Sequence, residues 1–331
     1  MKKVNIIKLV KTYMVPIILV LICTVFSLLD DKFFKASNLI SILRQISMLG
    51  ITSIGCACVM LLGENDLACG VMQGFAGVIC AIIMRDTGIP TWLCFIITLV
   101  VCSLIGFLDG LLIVKTNIPS MISSLGVRNI IYGLGFIISG GLPIYNIRDD
   151  AKYLGQGKIF EIPVPVILLV VFFIIGYFLL NKTYIGRHLF AVGSNAEAAK
   201  LSGINVDKVK IFAMTFSAFC ASFAGLILMG RNASGQPKAG DGGEMNAITA
   251  CVVGGVSALG GTCDPLNLMV GVMVMGVLTN GLTICGVSEF WQVVCKGVVL
   301  IVSVGFDSYE KTKASKVRIE SLEDKPAEVK A

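Results

Sequence analysis

The sequence predicts an all-α integral membrane protein with about ten membrane-spanning helices. Hydrophobic residues make up 56% of its 331 positions and charged residues 15%, whereas soluble domains carry about 25% charged residues. The mean hydropathy of +0.87 agrees with this prediction. Such a composition excludes a soluble enzyme, a disordered chain and a protein that binds nucleic acid through a basic face.

Ten apolar segments follow one another along the chain, and we expect each to cross the membrane. They are residues 13–29, 46–62, 68–84, 90–114, 118–140, 162–180, 211–230, 244–261, 265–286 and 288–306. The first segment follows four lysines without a small-residue cleavage site, so it is interpreted as a retained span rather than a signal peptide. Residues 1–306 are therefore expected to form one transmembrane domain, and the charged residues 307–331 to be a disordered cytoplasmic tail.

Lysine and arginine residues set the predicted orientation. With the N-terminus inside, the inner regions hold 16 of these residues and the outer regions hold 9. Both termini are therefore predicted to lie in the cytoplasm. The similar stretches 63–68 and 243–248 precede glycine-rich spans from opposite sides of the membrane. Either they mark an inverted repeat of five plus five spans, as in many transporters, or the similarity arises by chance.

Polar side chains inside apolar spans are costly unless they face protein or water. For the carboxylates, lining an aqueous path and pairing with Arg128 or a backbone N–H are both open, while lone hydroxyl and amide groups more often bond neighbouring helices. We take the polar residues near glycine-rich breaks as candidates for a substrate path. They are Asn65, Asp66, Gln73, Asp109, Asn129, Asn246 and Thr249. Amides and hydroxyls suit a neutral polyhydroxy ligand.

The sequence carries no pattern for covalent catalysis or metal binding. It lacks the phosphate-binding loop, the His-Glu-x-x-His motif and the Gly-x-Ser-x-Gly motif. His188 is the only histidine, and the twelve cysteines lie in or beside apolar segments without the paired spacing of metal sites. We therefore expect a transport protein rather than an enzyme, with no catalytic residue, metal or cofactor on this chain.

A short helix is predicted within the basic loop 181–210. Ser194 and Glu197 have the spacing of a capping box, in which two side chains satisfy the first N–H groups of a helix. Gly203 supplies the stop, so the helix covers about residues 194–202. A helix of two turns is marginal alone and needs a surface to pack on. That surface is either the cytoplasmic end of the bundle itself or a separate protein.

Several stretches together resemble one protein family. They are residues 63–70, 109–113, 118–121, 186–199, 254–261 and 290–297. The most specific is 186–199, which follows the pattern Gly-Arg-x-x-x-Ala-x-Gly-x-Asn-x-x-Ala-Ala, and 254–261 follows Gly-Gly-x-Ser-x-Leu-Gly-Gly. Over nearly its whole length, the chain resembles the membrane permease subunits of bacterial ATP-binding-cassette importers for ribose, galactose, xylose and related simple sugars.

The resemblance implies a permease of the bacterial inner membrane that moves a simple sugar delivered by an extracytoplasmic binding protein. Its implied partners are a cytoplasmic ATPase that holds ATP and Mg²⁺, a second permease copy in a homo- or heterodimer, and membrane lipid, but no nucleic acid. Ala196 and Ala199 are expected to contact the ATPase. The implied coupling residues are Gly193, Ser194, Asn195, Ala196, Glu197, Ala198, Ala199 and Lys200. Alternatives are the same architecture carrying a nucleoside or other small polar solute, and a secondary carrier.

Overall fold

Helices make up most of residues 6–323, the part of the chain that the computed structural model describes. In chain order, the helices are α1 (Ile6–Leu29), α2 (Ala36–Met60), α3 (Cys69–Asp86), α4 (Thr91–Thr116), α5 (Ser120–Ser139), α6 (Asp149–Gln156), α7 (Val164–Lys182), α8 (Tyr184–Ser194), α9 (Ala196–Leu201), α10 (Val206–Asn232), α11 (Gly243–Val253), α12 (Pro265–Ile284) and α13 (Glu289–Glu323). Between α6 and α7, the strands β1 (Lys158–Ile159) and β2 (Ile162–Pro163) form an antiparallel hairpin.

Seven helices of the described region are long and apolar enough to cross a membrane: α2, α3, α4, α5, α7, α10 and α12. Helix α1 adds a shorter apolar stretch, Val15–Leu29. Helices α4, α5 and α7 expose apolar side chains such as Leu104, Ile130 and Phe178, as lipid-facing surfaces do. The prediction of an all-α membrane protein is confirmed, while the count of ten crossings stays a prediction.

The apolar segment 244–261 does not form the continuous spanning helix that the sequence predicts. Helix α11 ends at Val253 after 11 residues, a length of about 16 Å. Gly254 and Gly255 follow, and Gly255 has a φ of +79°. A residue in the left-handed region ends a helix, and glycine adopts it without steric cost. An apolar segment that contains such a stop is therefore shorter as a helix than its hydropathy indicates.

Helix α13 extends further than the apolar segment 288–306. It continues through Glu323, whereas the sequence predicts disorder from residue 307. Nucleation is the costly step of helix formation, so a helix started by an apolar half extends readily through residues such as Glu, Lys and Ala. Residues 307–323 continue α13 in the described region, residues 1–5 and 324–331 lie outside it, and the disordered cytoplasmic tail stays a prediction.

Helices α2 and α10 pack against each other at the centre of the bundle. Helix α10 also packs against α3 and α4, and α2 also packs against α11 and α12. Glycine permits the closest approaches: a Cβ on Gly55 of α2 would lie 2.8 Å from the Cα of Ser217. A Cβ on Gly225 of α10 would lie 2.3 Å from the carbonyl oxygen of Gln73. In lipid, such small-residue contacts supply much of the attraction between helices.

Two short helical structures lie at opposite ends of α10. Helix α9 packs near its first turns, since Ala199 belongs to the same buried cluster as Val209 and Ala213. Helix α6 packs near its last turns, where a Cβ on Gly155 would lie 2.1 Å from the backbone nitrogen of Arg231. A helix of 27 residues is about 40 Å long, so α6 and α9 lie on opposite faces of the bundle.

Candidate functional site

A cavity of about 560 Å³ lies between α11, α12 and α13, within the size range of small-molecule sites. Each helix contributes polar residues from one face, because these residues are three or four positions apart along it. The cavity is lined by Asp241, Gly242, Met245, Asn246, Thr249, Thr279, Thr283, Glu289, Gln292, Val293, Lys296, Gly297 and Leu300.

Three threonine hydroxyl groups of the cavity are set as hydrogen-bond acceptors. Thr249, Thr279 and Thr283 each donate their proton to the backbone carbonyl four residues earlier, at 2.6, 2.9 and 2.8 Å respectively. Because each proton is used in this way, these oxygens can only accept, and the Thr283 oxygen already accepts one hydrogen bond from the Gln292 amide at 3.3 Å, which leaves it one lone pair. A ligand that supplies several hydroxyl protons would satisfy these oxygens, so this lining is suited to a polyhydroxy compound.

Charged residues hold one wall of the cavity in place. Arg128 of α5 donates two hydrogen bonds to this wall. One goes to the carboxylate of Asp241, which lines the cavity, and the other goes from the Arg128 Nε to Glu244 at 3.2 Å. The Glu244 carboxylate lies so close to α3 that a Cβ on Gly70 would be 2.0 Å from its Oε2. Gly242, with a φ of +76°, turns the chain from this ion-paired loop into α11. The start of α11 is therefore tied to both α3 and α5.

Two of the seven predicted path residues line this cavity. Asn246 and Thr249 lie one turn apart on α11 and face it together. Asp66 instead is buried at the start of α3, where its two carboxylate oxygens accept from the Ala68 N–H at 2.8 Å and from the Ser217 hydroxyl of α10 at 2.6 Å. This carboxylate closes the break between α2 and α3 and binds it to α10.

The remaining four candidates also lie away from the cavity. The Asn65 backbone N–H donates to Ser120 at 3.2 Å, and the Gln73 amide donates to Thr52 of α2 at 3.2 Å. Asp109 of α4 is buried and accepts a hydrogen bond from Ser123 of α5, and Asn129 is exposed on α5. Four of the five residues outside the cavity, all but Asn129, take part in hydrogen bonds that join elements of the bundle. A role for these five in a substrate path stays a prediction.

The short helix predicted in the loop 181–210 is present, but its cap is a different residue. Ser194 ends α8, and Asn195 caps α9 by accepting a hydrogen bond from the Ala198 N–H at 2.9 Å. The predicted Ser194–Glu197 capping box is therefore wrong, because Ser194 is still in helical conformation. Gly203, with a φ of +84°, ends the helix as predicted, and the Ile204 N–H bonds back to Ala199.

The coupling residues named from the resemblance divide into buried and exposed positions. Ala199 is only 4% exposed and belongs to the same buried cluster as Leu61, Leu189 and Val192, so little of its side chain is accessible to a separate protein. Leu201, at the end of the same helix, is 90% exposed. Gly193 is partly buried, and the exposed positions are Ser194, Asn195, Ala196, Glu197, Ala198 and Lys200. The helix therefore packs on its own bundle through one face and leaves another face free.

Just before α9, helix α8 contacts the chain at two places: the residue that follows α2, and the loop that follows α11. A Cβ on Gly193 would lie 1.7 Å from the carbonyl oxygen of Leu61, directly after α2. The same oxygen accepts from the Gly261 N–H, in the loop after α11, at 2.9 Å. Close by, Lys210 of α10 forms an ion pair with Glu64 at 2.6 Å. The segment leading to α9 thus contacts the backbone of two loops that lead into the bundle.

Comparison with known proteins places the chain in a family. The model of the family described as "Branched-chain amino acid transport system / permease component" matches residues 38–304, most of the chain and nearly all of its helices. The chain belongs to this family. It is a permease component, not an enzyme, and it is a multi-pass membrane protein.

Curated relatives of this permease cover nearly its full length. The ribose import permease protein RbsC of Haemophilus influenzae is 33% identical over 90% of the chain and 93% of its own length. The xylose transport system permease protein XylH of the same organism is 31% identical over 95% and 99%. The L-arabinose ABC transporter permease protein AraH of Azospirillum brasilense is 32% identical over 92% and 89%. No solved structure shows significant similarity to the chain.

Several cavity residues of the permease are absent from the set chosen by sequence reasoning. They are Asp241, Thr279, Thr283, Glu289, Gln292 and Lys296. Thr279 and Thr283, like Gln292 and Lys296, are four positions apart, which places each pair on one helix face. That spacing is a usable signal, but it does not show that the two faces oppose each other across a cavity.

Proposed function

We propose that this permease is the membrane-spanning subunit of an ATP-driven importer that moves a simple sugar. The observation that carries the proposal is the row of acceptor oxygens on Thr249, Thr279 and Thr283 in the α11–α13 cavity. A pentose or hexose supplies hydroxyl protons in several directions, and each matched hydrogen bond favours binding by about 1 kcal/mol. The ribose, xylose and arabinose permeases among the relatives support the same substrate class.

The proposal places the energy source and the delivery of substrate on other subunits. A cytoplasmic ATPase, which would hold ATP and Mg²⁺, docks on the exposed face of α9, and this chain carries no cofactor. An extracytoplasmic binding protein brings the sugar, and a second permease copy completes the path through the bacterial inner membrane. Leu201 supports the docking site, because its apolar side chain is 90% exposed and a protein contact would remove that surface from water.

We also propose ten crossings with both termini in the cytoplasm. The crossings are α1, α2, α3, α4, α5, α7, α10, α11 with its following loop, α12 and α13. Two observations support this arrangement: the excess of positive residues in the inner regions, and the placement of α6 and α9 at opposite ends of α10. An inverted repeat agrees with the packing, since α10 contacts α3 and α4 while α2 contacts their counterparts α11 and α12.

This topology predicts opposite accessibility for two exposed positions. In a Cys285→Ser background, Glu161→Cys is expected to react with a membrane-impermeant maleimide in intact cells. Lys200→Cys is expected to react only after the membrane is permeabilised, because α9 faces the cytoplasm. The Cys285→Ser chain alone is the control for reaction of native cysteines. Labelling of Lys200→Cys in intact cells, without labelling of Glu161→Cys, would mean that the orientation is reversed.

Uptake measurements test the substrate class. In a host strain that lacks the native gene, Thr283→Val is expected to raise the KM for the transported sugar roughly three- to tenfold, because one acceptor oxygen is lost. Radiolabelled ribose, xylose, arabinose, adenosine and leucine are compared as substrates. The matched control is Thr215→Val, which removes a similarly back-bonded hydroxyl from α10, outside the cavity lining.

The alternatives give different results in the same strain. Uptake of leucine or adenosine in place of any sugar would contradict the sugar proposal. A secondary carrier would lose uptake when a protonophore is added while ATP is kept high, whereas an ATP-driven importer would lose it when ATP is depleted. An unchanged KM in Thr283→Val, together with sugar uptake, would mean that the substrate path does not pass through this cavity.

A further inference from the structure

The β1–β2 hairpin presents an aromatic side chain in a strained backbone. Phe160 and Glu161 form its two-residue turn, and their φ angles are +48° and +64°. Turns with two positive φ values strongly prefer asparagine, aspartate or glycine. For a bulky residue such as phenylalanine, this conformation is a genuine outlier with a cost of about 1–3 kcal/mol. The Phe160 ring is nevertheless 96% exposed, so it gains nothing from packing within the chain.

The segment that carries this turn is held rigidly on the bundle. The guanidinium of Arg148, directly before α6, donates to the backbone carbonyls of Ile89 and of Met84, the latter at 3.1 Å. The Gln156 amide donates to the Arg231 carbonyl at 3.0 Å. We call α6 and the hairpin together, residues 149–163, the outer platform. These bonds fix α6 on the bundle, and the hairpin that carries Phe160 follows α6 directly.

The surroundings of Phe160 favour water over lipid. In the outer platform the side chains of Asp149 and Glu161 are 96% and 91% exposed. Lys158 pairs with Glu161 at 3.2 Å in the hairpin and Lys152 pairs with Asp149 at 2.8 Å in α6, so ionised groups lie in both parts of the platform. Carboxylates at such exposure would be expelled from the hydrocarbon core of a membrane. The platform is therefore expected to lie outside the hydrocarbon core, where the Phe160 ring is accessible to a soluble macromolecule.

The outer platform is also connected to the wall of the cavity. Ile144, in the loop that leads into α6, forms an isolated antiparallel bridge with Gly235, with N–H···O distances of 2.8 and 2.9 Å. Gly235 lies in the loop from α10 to α11, and the same loop ends in Asp241 and Gly242, which line the cavity. The bridge therefore gives a short backbone connection between the loop that precedes the platform and the residues at the start of α11.

We infer that the outer platform is the docking surface for the extracytoplasmic solute-binding protein, and that Phe160 is its anchor. This inference rests on the proposed function, which requires such a protein on the face opposite α9. An exposed aromatic ring on a rigid support loses little entropy on binding, and aromatic anchors contribute most to protein interfaces. The strain in the turn is the cost of displaying the ring, and insertion into an apolar pocket of the binding protein offsets it. The bridge to Gly235 then couples docking to the cavity.

A photocrosslinking experiment identifies what covers Phe160. The photoreactive residue p-benzoylphenylalanine is placed at position 160 in the full permease, expressed in its native host, and crosslinked products are analysed by mass spectrometry. We expect a crosslink to a secreted solute-binding protein. This protein is then purified and tested for stimulation of ATP hydrolysis by the permease–ATPase complex. Crosslinks to lipid alone, or to a protein that does not stimulate hydrolysis, would overturn the inference.

Affinity measurements then test the anchor. The purified binding protein is titrated onto the permease complex in nanodiscs of phosphatidylcholine and phosphatidylglycerol. Phe160→Ser is expected to weaken binding at least about tenfold, as the loss of a central aromatic anchor does. The matched control, Tyr145→Ser, is expected to keep wild-type affinity, because it removes an aromatic ring that is 64% exposed outside the platform.

The possible results separate this inference from the proposed function. Equal affinity of Phe160→Ser and wild type, with normal uptake by the wild type, would overturn the docking surface and leave the proposed function intact. Uptake by the wild type that needs no binding protein would overturn both. A fall in affinity for Tyr145→Ser as large as that for Phe160→Ser would show that the ring at position 160 is not a specific anchor.

Discussion

Replacement of Gly193 by alanine is expected to abolish uptake, because the added methyl group has no space. Its carbon would lie 1.7 Å from the carbonyl oxygen of Leu61, and this oxygen is held by a hydrogen bond from Gly261. A backbone oxygen cannot rotate away as a side chain can, so α8 must move away from both loops. We expect a loss of about 3 kcal/mol or more in folding free energy, seen as a lower melting temperature in detergent and absent uptake.

A matched control for this substitution exists on α5. Gly126 has no atom within 4 Å of an added Cβ, so Gly126→Ala should keep uptake and gain up to about 1 kcal/mol of helix propensity. If Gly193→Ala retained both the wild-type melting temperature and full uptake, the close contact of α8 with the two loops would not exist in the membrane.

Replacement of Leu201 by aspartate is expected to stop uptake while the permease itself stays folded. Leu201 is 90% exposed, so a charge at this position costs little in the isolated chain. In an interface with the ATPase, the same charge would lose its water, and truncated hot-spot residues cost about 2 kcal/mol or more. That energy corresponds to a loss of roughly thirtyfold in affinity. Titration of the purified ATPase onto the permease in nanodiscs measures this affinity.

The control is the same substitution, leucine to aspartate, at a position on the opposite face of the bundle. Leu142, 70% exposed beside the outer loops, is replaced by aspartate, and ATPase affinity should stay at its wild-type value. Leu201→Met should also keep ATPase affinity and uptake. Full ATPase affinity in Leu201→Asp would contradict docking on α9. Reduced affinity with normal uptake would mean that uptake does not depend on the contact at Leu201.

The exposures of Ala199 and Leu201 on α9 differ from what the sequence alone leads us to expect. Ala199 belongs to the stretch that resembles the family, and small residues are suited to a tight contact with another protein. In the structure Ala199 is buried against Leu189 and Val192, and Leu201 is exposed. The two residues are only two positions apart on a helix, and they point in different directions because each position turns by about 100°. Knowing which face meets the bundle requires the position of α8 and α10.

The cavity shows a similar limit of sequence reasoning. Asn246 and Thr249 can be chosen because they follow a glycine-rich break, but Thr283 and Gln292 come from different helices. Asp66 and Asp109 look like path residues for the same reason, a charge among apolar neighbours. In the structure, hydroxyl groups of Ser217 and Ser123 satisfy these carboxylates. Local sequence shows that a polar group needs a partner, and it does not show whether that partner is water, a ligand or another helix.

The sequence by itself determined the class of this protein, its apolar helices and the presence of a short helix before α10. These properties depend on composition and on local periodicity, which act within one or two turns of chain. Only the tertiary structure decided that α11 stops at Val253, that Thr279 and Thr283 share a cavity with Gln292 and Lys296, and that Phe160 is exposed. The reason is physical: packing in lipid depends on which helix faces meet, and contacts between residues far apart in the chain set that choice.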